Sequence, residues 1–169
     1  MAERCAPASP EVAERLMETY GDGILRLCFL YLRDRALAED AAQETFVRAW
    51  QNYGAFQGQS SERTWLCAIA VNLCRNVLRS PWHSRRVDLS GLAEPAAEDA
   101  DRSDDTVVRA ILALPDKYRE PVVLYYYQEW STAEIARALG IPQGTVTVRL
   151  KRARERLKPR LEGWYHGTE

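Results

Sequence analysis

The sequence predicts an all-α protein: two small helical domains joined by a flexible acidic linker. Three observations carry that prediction. Apolar residues recur every three or four positions through most of the chain, no stretch alternates with the period of two that a strand requires, and the helical pattern lapses between residues 82 and 105. The 169 residues, 46% of them apolar, could fill one core or two small ones, so the internal layout decides between them.

In the first helix Val12, Leu16, Tyr20, Ile24, Cys28 and Tyr31 recur along one side, and Gly21 with Gly23 predicts a bend or break. A second helix over about 36–53 carries Leu37, Ala41, Thr45, Ala49 and Trp50 on one side. Gly54, Gly58, Gln59 and Ser60 mark a loop. Ser61 and Glu62 then open a third helix, where Trp65, Ile69, Leu73 and Val77 follow at four-residue steps that favour burial of Trp65, and Pro81 closes it. Together these form a domain over residues 10–81. Residues 82–105 carry Pro95 and the acids Glu94, Glu98, Asp99, Asp101, Asp104 and Asp105, a composition that cannot bury enough apolar area to order itself and predicts a tether. Helicity resumes near Asp105 with Val107, Val108, Ile111, Leu112 and Leu114, stops at Pro115, and returns through Tyr118, Val122 and Tyr126 in a second domain over 106–161.

Net charge is −1, yet the charges are segregated. Residues 1–80 hold 9 basic and 10 acidic side chains, residues 81–105 hold 3 and 7, and residues 106–169 hold 11 and 7. Seven of those last cations (Arg149, Lys151, Arg152, Arg154, Arg156, Lys158 and Arg160) fall within residues 145–161, against Glu155 alone.

The element that bears them has a recognisable approach. Ser131-Thr132-Ala133-Glu134 has capping-box form, in which the serine hydroxyl and the glutamate carboxylate reciprocally satisfy backbone amides. A short helix with Ile135, Ala136 and Leu139 inward ends at Gly140, where the left-handed turn is open to a residue without a Cβ, and 141–144 leads into the basic helix. Val146, Leu150, Ala153 and Leu157 share one side of it, so the opposite side faces out, with Thr145, Thr147, Val148, Lys151 and Arg152 placed for base edges. Arg149, Arg154 and the later cations flank that side, where phosphates lie. Two helices joined by a tight glycine turn, the second basic, describe a helix-turn-helix that binds DNA.

With those residues in view, the chain from about 11 to 161 resembles the extracytoplasmic-function (ECF) subfamily of the sigma-70 family of bacterial RNA polymerase sigma factors. Ala38-Glu39-Asp40-Ala41-Ala42-Gln43-Glu44-Thr45-Phe46-Val47-Arg48-Ala49-Trp50 is similar to the segment of that family that grips the polymerase clamp. The resemblance implies core polymerase binding, to the β′ clamp helices, through Asp40, Gln43, Glu44, Phe46, Val47 and Trp50. Four of these form a polar stripe at i, i+3, i+4 and i+7. Thr64-Trp65-Leu66, Ile69-Ala70, Asn72 and Arg79 are similar to the helix that opens the −10 element, which implies DNA contacts from Asn72, Arg75, Asn76 and Arg79 and capture of an extruded base by the loop over about 53–63. By the same resemblance the first domain is sigma region 2 and the second is region 4, reading the −35 element through Thr145, Thr147, Val148, Arg149, Lys151, Arg152 and Arg154. It implies further that the linker threads a basic polymerase channel, that the β flap is a second polymerase contact, and that an anti-sigma factor holds the chain in reserve. The chain departs from the family pattern at Asn76, where Asp is frequent, and at Thr145-Val146-Thr147-Val148-Arg149, where Thr-Val-Lys-Ser-Arg is frequent.

Other classes fit less well. A helix-turn-helix repressor or activator that is not a polymerase subunit is the nearest alternative, but the first half lacks a strand-rich receiver pattern. An enzyme would need a nucleophile elbow, a phosphate-binding glycine loop or a metal-spaced cluster, and none is present in the sequence. Cys5, Cys28, Cys67 and Cys74 form no CxxC pair and have only His83 and His166 to help hold a metal, so no metal and no cofactor are expected. Lack of a long apolar stretch or an apolar leader predicts a cytoplasmic protein that does not itself enter the membrane.

Overall fold

The computed structural model describes residues 6–83 and 105–165, so nearly all of the expected linker (82–105) lies outside the described residues. Every regular element among the described residues is helical, and the chain divides into two units, Met1–Leu92 and Ala93–Glu169.

In the first unit α1 (Pro10–Leu32) starts with proline in its first turn, where the missing amide proton is not needed. It ends at Arg33, whose left-handed backbone (φ 61°) returns its amide to the Phe29 carbonyl. Asp34 follows at once and caps α2 (Arg35–Asn52) by accepting from the Leu37 amide at 3.0 Å. A turn this short forces α1 and α2 to run antiparallel, and α3 (Glu62–Arg79) packs against both. Leu16, Ile24, Leu27, Tyr31, Leu66 and Val71 fill the space between them.

Two expectations are corrected here. α1 runs unbroken through Gly21 and Gly23, because the buried residues on either side, Leu16, Ile24, Leu27 and Cys28, anchor a single stripe that outweighs the weak helix preference of glycine. In α3 the core face is Leu66, Ala70, Leu73 and Cys74 with Cys67 and Val71, while Trp65, Ile69 and Val77 are only half-buried. A strict four-residue step advances about 40° around the helix each time, so such a row drifts off any single face within three steps.

In the second unit α4 (Asp105–Leu112) and α5 (Asp116–Val122) meet across Pro115, and α5 opens into a wide π-helical turn over Val123–Tyr127. The Gln128 amide reaches the Val123 carbonyl and the Trp130 amide the Leu124 carbonyl, with Glu129 held at φ 58° between them. α6 (Thr132–Leu139) and α7 (Gln143–Tyr165) complete the unit, and α7 packs on α4, α5 and α6. Among the described residues, no helix is long and apolar enough to cross a membrane.

A Cβ built on Gly23 meets nothing within 4 Å, and its backbone is helical. Gly23→Ala should therefore stabilise the first unit by about 0.5–1 kcal/mol in chemical denaturation, since it removes backbone freedom only from the unfolded chain. A neutral or destabilising result would mean that the glycines do bend α1 in solution.

Candidate nucleic-acid interface

The approach to α7 is built as its sequence requires. Ser131 and Glu134 form the reciprocal capping box, with the Glu134 carboxylate accepting from the Ser131 amide at 2.7 Å and the Ser131 hydroxyl accepting from the Glu134 amide at 3.2 Å. The amide bond lowers the Glu134 pKa below the usual carboxylate value, which keeps the cap charged. Gly140 adopts φ 63°, and the Gln143 side-chain amide donates to the Thr132 hydroxyl at 2.8 Å, tying the start of α7 to the start of α6.

Val146, Leu150 and Ala153 are buried and Leu157 is half-buried, so the stripe faces the unit as expected. Thr147, Val148, Lys151 and Arg152 are exposed together on the other side, with Thr145 and Arg149 half-buried beside them. Val148, at 47% exposure, is a large apolar side chain held out in water. Arg154 is exposed but engaged: its Nε donates to the Tyr126 hydroxyl and its guanidinium lies 5.9 and 5.6 Å from the Tyr125 and Tyr126 ring centres.

A buried arginine that no distinctive sequence pattern marks supports this platform. Arg119 is 1% exposed, donates through Nη1 to the Leu114 carbonyl at 2.9 Å, and pairs with Asp116 one turn earlier. The signal was the Asp-x-x-Arg spacing after Pro115, which is too common at helix starts to stand out.

In the first unit, α2 exposes Asp40, Gln43, Glu44 and Val47, a stripe of three polar side chains and one valine at the spacing the sequence shows. Glu44 pairs with Arg48 at 2.9 Å along the same helix. Phe46 does not belong to that surface: it is 8% exposed and packs inward, because its position falls on the side of α2 that carries Ala38, Ala42 and Ala49. Trp50 is half-buried, and its indole N–H donates to the Ala8 carbonyl at 2.7 Å. On α3, Asn72, Asn76 and Arg79 are exposed and Arg75 is half-buried.

The loop before α3 holds an aromatic cluster that its turn residues do not announce. Phe56 and Trp65 stack at 4.9 Å between ring centres, and with Ala55, Gln57, Gln59 and Ser60 they line a pocket of about 180 Å³. Tyr53 packs on both rings at 6.0 Å. Its hydroxyl donates to Glu62 at 2.7 Å, while Arg15 from α1 grips the two oxygens of Glu62 at 2.9 and 2.8 Å and Tyr20 reaches it at 3.3 Å. Those bonds, Arg15 first, pull the Glu62 carboxyl down to about 2. An aromatic wall edged by two glutamines and a serine can stack one flat heterocycle and hydrogen-bond its edge.

Two family models match the chain, one in each unit. Residues 16–84 match the family model described as Sigma-70 region 2, and residues 104–157 match Sigma-70, region 4. The chain is similar to the ECF RNA polymerase sigma factor SigW of Bacillus subtilis (strain 168), at 36% identity over 163 residues, covering 86% of this chain and 87% of that protein. It is also similar to the RNA polymerase sigma factor CarQ of Myxococcus xanthus, at 31% identity with 94% of each chain covered. Among solved structures, the fold resembles the sigma factor RpoE crystallised with the anti-sigma factor NepR from Bartonella quintana, with TM-score 0.69 and 23% identity over 91% of this chain and 98% of that one. It likewise resembles CnrH in complex with the cytosolic domain of CnrY, with TM-score 0.60 and 24% identity over 92% and 91%.

Two of these features predict stability changes. Removing the buried guanidinium with Arg119→Ala should cost about 3 kcal/mol, because the Leu114 carbonyl and Asp116 both lose their partner; a loss below about 1 kcal/mol in urea unfolding would make Arg119 dispensable. The folded pKa of Glu62 is depressed from 4.5 to about 2, so its stabilisation is complete above pH 4.5 and is lost as pH falls through about 2. Glu62→Gln should flatten the acid limb of the stability curve across that window, and superimposable limbs would refute the assignment.

Proposed function

This chain belongs to the ECF subfamily of the sigma-70 family, and from that premise we propose how its two units divide the work of promoter-specific transcription initiation. As a sigma factor it binds core RNA polymerase and directs it to promoters. Residues 10–81 act as region 2 and residues 106–161 as region 4. It works by binding, with no reaction of its own, in the cytoplasm.

Core polymerase is held by the exposed stripe Asp40, Gln43, Glu44 and Val47, with the edge of Trp50; carboxylates at this spacing suit an arginine-rich surface such as the β′ clamp helices. Phe46 contributes by packing α2 in place. The −10 element is opened over α3, where Asn72, Arg75, Asn76 and Arg79 track the strand and the Phe56–Trp65 pocket takes one extruded base. The −35 element is read by α7: Thr147, Val148, Lys151 and Arg152 meet base edges, with Thr145, Arg149 and Arg154 on the flanks. Val148 suits a thymine methyl. One observation supports this division above the others: four residues of the leading turns of α7 are exposed together while Val146, Leu150 and Ala153, opposite them, are buried. The RpoE and CnrH structures contain partner proteins, and we extend that to this chain as an anti-sigma factor that occludes the polymerase-binding stripe.

Mixed with bacterial core polymerase, the protein should co-elute on gel filtration and start transcription at a cognate promoter selected by the holoenzyme. Reversing charge at Asp40 and Glu44 together should abolish co-elution, while Lys151→Ala with Arg152→Ala should keep it and weaken promoter capture with a shallower salt dependence. If a range of cores fails to co-elute and DNA binding persists, the chain is a repressor or activator and the assignment of the stripe is wrong.

A further inference from the structure

The loop between α2 and α3 is held in a way that apolar packing does not explain. From residue 54 to residue 61 no side chain is buried. Polar groups close the neck of the loop instead: the Tyr53 hydroxyl, where the loop begins, donates at 2.7 Å to Glu62, nine residues on, where it ends. Arg15 of α1 completes the clasp. Its Nη1 and Nη2 donate to the two oxygens of Glu62 at 2.9 and 2.8 Å, and Nη2 also reaches the Tyr53 oxygen at 3.2 Å. Tyr20, on the same helix, adds a further bond to Glu62 at 3.3 Å.

This clasp contributes more to geometry than to stability. The Arg15 side chain is 48% exposed and that of Glu62 20%, and ion pairs this open to water add little to stability. Bidentate pairing does fix the two groups in one relative orientation. What they orient is Tyr53, whose ring lies 6.0 Å from both Phe56 and Trp65 and so backs the wall of the pocket. Arg15, Tyr53 and Glu62 do not themselves line that pocket, which is formed by Ala55, Phe56, Gln57, Gln59, Ser60 and Trp65. A loop left free at its neck would have to be ordered as a base enters, at a cost in conformational entropy; a clasped loop meets that cost on folding.

We infer that Arg15 and Glu62 are positioning residues for base capture: by clasping the neck of the loop to α1 through Tyr53, they hold the Phe56–Trp65 wall in shape before a base arrives. The inference rests on the reading of that pocket as the receiver of the extruded base.

The test titrates holoenzyme with single-stranded nontemplate −10 DNA from a promoter it selects, either intact or with one nucleotide at a time made abasic. At the extruded position the intact strand should bind the wild-type holoenzyme more tightly than the abasic one. Tyr53→Phe keeps the ring and removes only the hydroxyl, and Arg15→Met changes a helix that does not border the pocket. Each should lower the intact-to-abasic ratio about three- to tenfold, the scale of one hydrogen bond to a charged group, while the abasic strand and core polymerase bind as before. A role in stability alone would weaken both strands equally, so an unchanged ratio in either variant overturns the inference. Phe56→Ala separates the two levels. If it collapses the ratio while Tyr53→Phe and Arg15→Met leave it intact, only the clasp fails; if it too leaves the ratio intact at every position, the pocket takes no base and the clasp has nothing to position.

Discussion

Which way the cations of α7 point is decided by the apolar side chains opposite them. Val146, Leu150 and Ala153, spaced by four and three, lie within one narrow arc of the helix, and all three are buried. Turning α7 by one residue, about 100°, would expose that arc and drive Thr147 and Arg154 into the core, where an uncompensated guanidinium costs several kcal/mol. The register of the helix and the display of Thr147, Val148, Lys151 and Arg152 are therefore a single fact. What precedes α7 fixes its direction in turn: the capping box starts α6 at one residue, Gly140 ends it at another, and the Gln143–Thr132 bond closes the angle between the two helices.

Both units place a polar node where a helix must meet irregular backbone. Arg119 takes the Leu114 carbonyl, which lies at the break between α4 and α5. Glu62 gathers Arg15, Tyr20 and Tyr53 at the mouth of α3, just where the loop that carries Phe56 returns to helix. The two differ in kind. The Arg119 guanidinium is fully enclosed and its loss would strand partners, whereas Glu62 keeps a fifth of its side chain in water and trades in geometry more than in energy. Tyr53 is bonded to Glu62 through its hydroxyl and packed on Phe56 and Trp65 through its ring, so the node also sets the wall of the pocket.

The elements were legible in the sequence because their ends are chemically marked. Ser61 and Ser131 each accept the amide that a cap predicts, and Gly140 takes the left-handed turn. The stripe of α7 was legible for the same reason, since apolar residues in a basic helix have one explanation. Faces of apolar-rich helices were harder. In α3 eleven of the eighteen positions are apolar, so the four-step row through Trp65 fits the sequence as well as the true face through Leu66 and Ala70, and only packing on α1 and α2 separates them. Phe46 was misplaced because a match along thirteen residues says which helix meets a partner and not which of its side chains turn away. The Glu62 node links residues 47 apart and leaves no periodic trace at all.

The tyrosines around α7 answer a problem that its composition creates. Seven cations against one acid over residues 145–161 repel one another, and carboxylate partners would relieve the repulsion only by cancelling the field that attracts DNA. Aromatic faces avoid that conflict: Arg154 lies over Tyr125 and Tyr126, and Arg156 over Tyr118, so two guanidiniums are held in position with their charge intact. The π-helical turn is what makes the first of these sites, because its wider winding brings Tyr125 and Tyr126 edge to face at 4.9 Å within reach of one arginine. Cations ordered in this way lose less side-chain freedom when they meet phosphate, so the aromatic flanks of α7 favour association both by preserving its potential and by lowering the entropic cost of contact.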